Sequence, residues 1–149
     1  MKKSLYFICC ILLMTGLQSF QNPNTTVEDI LQKAIELEQL HKILQKDSDG
    51  HFQPLMILTN GQLPEHIDLR FAGKPVKMIS SEEAKKLSEE DSYMNVTEFR
   101  IKNSRARFQF VYNAISVRIN LRNIDGEWTY RSMSMKGKGI LYKNVDWTL

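Results

Sequence analysis

NVTEFRIKNSRARFQFVYNAISVRINLRNIDGEWTYRSMSM, residues 95–135, is the stretch that decides the fold. Four strand-like runs stand in it: Asn95–Lys102, Arg105–Tyr112, Ile115–Asn123 and Glu127–Met135. Apolar and polar residues alternate within them, the period of a strand with one face buried. Short links separate the runs: Asn103-Ser104, Asn113-Ala114 and a turn at Asp125-Gly126. Asp-Gly is a strong hairpin signal. Asn-Ser and Asn-Ala are weaker, because Ala disfavours the positive φ of a type I′ turn. The reading is a four-strand antiparallel meander.

Two-residue hairpins at each link dictate the register. Phe99 then lies opposite Phe108, Phe110 opposite Val117, Phe108 opposite Ile119, and Leu121 opposite Tyr130. All four pairs fall on one face, which also collects Thr97, Ile101, Ala106, Tyr112, Ile115 and Trp128. A one-residue slip at any turn sends one strand's apolar set to the wrong side. The agreement of three independent turns is the argument for this register.

The same register assembles the opposite face. It carries Val96, Glu98, Arg100, Lys102, Arg105, Arg107, Gln109, Val111, Ser116, Arg118, Asn120, Arg122, Thr129, Arg131 and Met133, of which seven are cations and one an acid. Like charges come to lie opposite one another: Lys102 with Arg105, Arg100 with Arg107, and Arg105 near Arg122. Such pairs are mildly destabilising. One reading is a solvated face whose Arg and Lys stems cover apolar sheet, neutralised by acids folding over from elsewhere. The other is a cationic platform, with Arg100, Lys102, Arg105, Arg107, Arg118, Arg122 and Arg131 as the anion-binding set. The planar Arg fork grips carboxylate and phosphate bidentately.

Upstream, Thr25-Thr26-Val27-Glu28 fits a capping box with Thr25 as N-cap. Val27, Ile30, Leu31, Ala34, Leu37, His41 and Leu44 recur at helical spacing, predicting one amphipathic helix of about twenty residues that ends at Asp47-Ser48-Asp49-Gly50. Phe52–Thr59 reads as a strand with Pro54 near its start. Asn60-Gly61 and Gly73-Lys74-Pro75 are turns, and Val76–Ile79 is a short strand. Ser80-Ser81-Glu82-Glu83 is a second capping box, opening a short helix to about Leu87.

The first residues carry an address. Lys2 and Lys3 precede an apolar run from Leu5 to Leu17, and Leu17-Gln18-Ser19 offers a cleavage site. That is the layout of a secretory signal peptide. The run would rise only about 20 Å as a helix, short of the roughly 30 Å of bilayer hydrocarbon. Residues 1–19 are therefore expected as a signal, with an uncleaved anchor as the alternative and the only expected route to a membrane. Residues 20–149 are expected as one α+β domain, exported to the periplasm or secreted. The whole chain carries +3, and without Lys2 and Lys3 it carries +1. Both cysteines, Cys9 and Cys10, lie in the leader, so the remainder has no disulfide, thiolate nucleophile or thiolate metal site. Phe7 and Ile8 before them do not suit a lipoprotein cysteine.

Chemical motifs are scarce. Asp47-Ser48-Asp49-Gly50-His51 suggests a calcium loop, but glycine falls at loop position four and Leu58 at position twelve. A helix terminus and turn is the reading that fits. His41, His51 and His66 show no ligand spacing, and His66 with Glu65 and Asp68 makes only a loose group. Gly137-Lys138-Gly139 is a turn, too short for a phosphate loop. Trp147 is expected to pack on the domain. No catalytic, cofactor or metal residue is assigned. Tyr112, Trp128 and Tyr130 are candidate pocket residues if the helix leaves the apolar face partly open, with core packing as the alternative.

The closing strands carry Ala106-Arg107-Phe108-Gln109-Phe110 and Asp125-Gly126-Glu127-Trp128, similar to an A-x-V-x-F … D-G-x-W rhythm. With the order helix, hairpin, short helix and meander over roughly Thr25 to Met135, the chain resembles NTF2-like or cystatin-like α+β proteins. The resemblance implies a curved antiparallel sheet, ending in the meander, wrapped on an N-terminal helix. It carries over no catalytic residue, since no matching motif stands in this chain, and the fold alone implies no function, since that superfamily hosts enzymes and binding modules alike. Leader, composition and cysteine-free remainder also resemble uncharacterised exported proteins of Gram-negative bacteria. The expected function is a non-enzymatic exported binding or accessory domain, its partner an anionic glycan, lipid or envelope protein. The rival is a small enzyme or ligand carrier with a pocket between helix and sheet. Nucleic acid is disfavoured by the expected export, and no aromatic stacking set is interleaved with the cations on this face.

Overall fold

The computed structural model describes residues 23–88, 91–137 and 140–145. The expected leader lies outside the described residues, as do Lys138, Gly139 and Trp147. Among the described residues, no helix is long and apolar enough to cross a membrane. The chain is mixed α+β and dominated by one sheet.

Helix α1 (Pro23–Ile35) is followed by the single turn α2 (Glu38–His41). Strands β1 (Met56–Leu58), β2 (Arg70–Phe71), β3 (Lys74–Pro75) and β4 (Lys77–Ile79) come next, then the one-turn helix α3 (Ser81–Ala84). Five long strands complete the order: β5 (Met94–Lys102), β6 (Arg105–Tyr112), β7 (Ile115–Ile124), β8 (Glu127–Gly137) and β9 (Ile140–Val145). Seven strands form the main sheet in the order β4-β1-β5-β6-β7-β8-β9, and β2 and β3 pair separately.

The hairpin register expected from the turns is the one observed. Phe99 pairs with Phe108, Phe108 with Ile119, Phe110 with Val117, and Leu121 with Tyr130. Asn113 and Ala114 both take positive φ, 47° and 63°, as do Asp125 and Gly126, 52° and 90°. Both links therefore have the type I′ pattern whose twist matches the flanking strands.

Several expectations are corrected. The sheet is not purely antiparallel: β1 pairs in parallel with both β4 and β5. The meander has a fifth strand, β9, antiparallel to β8. The strand expected over Phe52–Thr59 shrinks to Met56–Leu58, while Phe52 forms an isolated bridge with Lys46. The long helix is split, because Leu37 leaves the helical region (φ −63°, ψ 123°). Of the expected stripe beyond the break, Leu44 still reaches the interior, and Leu40, which the stripe did not include, is buried as well. Thr25 is not an N-cap, since helix α1 already begins at Pro23.

Two bulges move three residues to faces opposite to those expected. Between β5 and β6 the register shifts between Val96 and Glu98, making Thr97 the extra residue. Val96 is thereby buried against Phe110, and Thr97 is exposed. Between β7 and β8 the shift lies at Asn120/Leu121. Arg131 is the extra residue there, and Met133 turns inward opposite Ile119. An inserted residue restarts the two-residue alternation. Ile101, expected on the buried face, is 39 % exposed near the end of β5.

The core lies between helix and sheet. Ile30, Leu31, Ala34 and Ile35 of α1 are fully buried, and α1 packs on β6, β7 and β8. Phe108 and Phe110 form the centre opposite it, their rings 5.0 Å apart. Gln32 ties the helix to β2, donating to the Arg70 carbonyl (2.9 Å) and accepting from the Arg70 N–H (3.0 Å). Among the described residues, no charged side chain is buried.

Candidate functional site

The antiparallel ladder turns the sequence alternation into a surface. Residues whose neighbours fill the core with Ala106, Phe108, Ile119 and Leu121 send their own side chains the other way. Arg100 faces Arg107, Lys102 faces Arg105, and Arg105 faces Arg122 on the next strand. The bulge at Arg131 adds a fourth strand's cation to the group.

These side chains line one depression of about 390 Å³, together with Ala106, Asn120 and Leu121. It holds Arg100, Lys102, Arg105, Arg107, Arg122 and Arg131, six of the seven cations expected from the sequence, so the array converges on one concavity. Arg118 is the exception. It lies outside the depression, and its Nε donates to Gln109 Oε1 at 3.0 Å.

Charge is unevenly compensated. Glu98 Oε1 lies 3.6 Å from Arg100 Nε and 3.7 Å from Arg107 Nη1, so one acid serves two cations. Arg107 Nε also donates to Asn120 Oδ1 at 3.4 Å, and Asn120 Nδ2 donates to Ser132 Oγ at 2.9 Å. Among the described residues, Lys102, Arg105, Arg122 and Arg131 form no ion pair or side-chain hydrogen bond. The depression thus divides into a braced end at Glu98 and Arg107 and an uncompensated end at Arg105 and Arg122. The alternation reveals the array, but the bridging position of Glu98 was not read from it. The signal lies in the register, since Glu98 is the one acid that the alternation of the four runs places on that face, diagonal to Arg107.

The candidate pocket residues do not form one pocket. Tyr112 is buried, its hydroxyl accepting from the Gln45 backbone N–H at 3.1 Å. Trp128 is buried in the core and also lines a groove of about 290 Å³ with Asp29, Gln32, Lys33, Glu36, Gly126 and Glu127. Lys33 Nζ meets Glu127 Oε1 at 3.3 Å in that groove. Tyr130 is half-buried and packs at the edge of the core. Neither tyrosine lines either concavity.

The Asp47, Asp49 and His51 ligand atoms lie within 4.8 Å of one another, all exposed. Asp47 Oδ1 accepts from the backbone N–H of Asp49 (3.0 Å) and of His51 (2.8 Å). Its carboxylate closes the expected turn, but that turn lies inside the Lys46–Phe52 bridge and ends no helix, since α2 stops at His41. His66, Glu65 and Asp68 form no such group among the described residues. His41 packs its ring against Phe52 and Phe71, at 5.3 and 5.2 Å between centroids.

Glu83 and Asp91 are held below the ordinary carboxylate range, and both lie away from the depression. The Ser80 backbone N–H and hydroxyl, aided by Lys77, lower Glu83. The Ser88 backbone N–H and hydroxyl lower Asp91. Both are exposed groups accepting at a chain turn.

Comparison with family models, with curated proteins and with solved structures gives no match to this chain.

Proposed function

We propose that the chain is a non-enzymatic binding or accessory domain, acting after export, that holds an anionic partner in the cationic depression. The observation that carries this reading is the uncompensated end: Lys102, Arg105, Arg122 and Arg131 border one concavity, and no described acid pairs with them. Opposed cations cost stability. A phosphate or carboxylate between Arg105 and Arg122 converts that repulsion into charge-assisted hydrogen bonds with two guanidinium forks. The braced end supplies rigidity, since Glu98 and Asn120 orient Arg107 from two sides.

The experiment is salt-dependent retention on an immobilised phosphate matrix. Arg105→Ser with Arg122→Ser is expected to elute at clearly lower salt than the parent, with no loss of thermal stability. Arg118→Ser, outside the depression, is expected to lose much less. Equal losses from Arg118→Ser and the double variant would reduce the effect to net charge, and unchanged retention of the double variant would overturn the reading.

A further inference from the structure

The outer edge of β5 is half covered. Along this edge β1 reaches only Met94 and Asn95, and Asn60 Nδ2 donates to the Val96 carbonyl (3.2 Å) and to Asn95 Oδ1. From Thr97 to Lys102, no strand of the described residues lies on the side away from β6. Lys102 and Arg105 close a two-residue turn and so exchange backbone hydrogen bonds with each other. Alternation then turns the N–H and C=O of Phe99 and Ile101 outward, away from β6. Ile101 is also one of two large apolar side chains exposed among the described residues. An open, partly apolar edge is a template for another strand.

We infer that this edge pairs with the same edge of a second copy, antiparallel, about a two-fold axis at Arg100. The order Glu98-Phe99-Arg100-Ile101-Lys102 is self-complementary about its centre. Glu98 falls opposite Lys102 of the second copy, and Phe99 opposite Ile101 of the second copy, each twice. The Phe99–Ile101 pairs are the hydrogen-bonded ones, so the outward N–H and C=O groups of both residues are satisfied in both copies. The two Arg100 side chains meet at the axis, each with its own Glu98 at 3.6 Å to offset the repulsion. A slide to an axis at Phe99 brings Lys102 of the second copy opposite Val96, whose carbonyl Asn60 already occupies. Arg100 and Lys102 also line the depression, but the pairing is carried by the backbone edge of β5 and does not rest on anion binding.

A symmetric disulfide tests the axis. In a protein carrying Cys9→Ser and Cys10→Ser, Arg100→Cys places two thiols in a non-hydrogen-bonded pair. Their Cα atoms stand about 4.5 Å apart there, within disulfide reach. Mild oxidation is expected to cross-link Arg100→Cys rapidly, while Lys102→Cys, which faces Glu98 and no second thiol, cross-links far more slowly. Sedimentation supplies a second readout without cysteine. Lys102→Glu is expected to weaken the dimer about tenfold, as two attractive pairs become repulsive, and adding Glu98→Lys is expected to restore it. Cross-linking of Arg100→Cys no faster than of Lys102→Cys would overturn the proposal. So would a monomeric parent whose Phe99 and Ile101 amides are already protected from exchange, which assigns the edge to another segment of the same chain.

Discussion

Arg105 and Arg122 stand directly opposite one another across β6 and β7, cation against cation, with no described acid paired to either. A cross-strand pair of this kind is worth a fraction of a kcal/mol in either direction. The arrangement is therefore tolerable for the fold and open to reversal by one substitution.

Arg122→Glu replaces a repulsive pair with an attractive one. It is expected to raise unfolding free energy by about 0.5 kcal/mol, read from urea denaturation, and to lower retention on phosphate. A gain in stability with retention unchanged would separate the depression from binding.

The alternation shows this face because strand side chains must alternate and the turns pin the register. Arg100, Lys102, Arg105, Arg107 and Arg122 follow from that alone. Val96 and Met133 do not, because one extra residue inverts the pattern on one side of each bulge. A signal existed: Val96 and Phe99, like Tyr130 and Met133, are apolar residues spaced by three inside runs of period two. The parallel pairing of β1 with β4 and β5 carries no such mark. Each partner is two or three residues long at the contact and distant in sequence. The break at Leu37 is also silent, since no Pro or Gly stands there.

The bulges lead to a deletion test. Removing Thr97 leaves Val96 inward, Glu98 outward and Phe99 inward, a regular strand. The deletion is expected to keep cooperative unfolding, with a loss within about 2 kcal/mol. Removing Arg100 instead sends either Ile101 or Phe99 and Val96 to the wrong side. That variant is expected to lose its cooperative transition in thermal denaturation followed by near-ultraviolet circular dichroism.

Ala114 at φ 63° holds a conformation that costs an L residue with a Cβ roughly 1–2 kcal/mol. Ala114→Gly is expected to stabilise the chain by about 0.5–1 kcal/mol, after the entropy cost of glycine is set against the relief. Gly126→Ala, at φ 90°, is expected to move the urea midpoint the other way. Equal signs for the two substitutions would contradict the turn types.

Phe108 is fully buried and packs against Phe110 and Phe99 at 5.0 and 6.3 Å between centroids. Phe108→Ala is expected to cost about 3–5 kcal/mol. Against a total stability of roughly 5–15 kcal/mol for a domain of this size, that loss leaves a marginal fold. The same truncation at Phe99, which is only half-buried, is expected to cost distinctly less by urea denaturation.

Glu83 supplies the pH dependence that the structure makes explicit. Ser80 caps α3: its hydroxyl accepts from the Glu83 N–H at 3.2 Å, and Glu83 Oε2 accepts from the Ser80 N–H at 2.9 Å. That backbone hydrogen bond is the main cause holding Glu83 below its ordinary value of 4.5, and Lys77 Nζ at 3.5 Å adds to it. The folded state therefore binds this proton less readily than the unfolded chain. The contribution to stability is present in full above the ordinary glutamate range and is lost as the pH falls through the depressed folded value. Asp91, lowered by Ser88, acts in the same direction. Ser80→Ala removes the hydroxyl half of the box and loosens the other half, so the Glu83 titration measured by carboxyl NMR is expected to move up toward 4.5. The acid limb of the stability curve is expected to become shallower over the same interval. An unmoved Glu83 titration in that variant would show that the capping box is not what sets it.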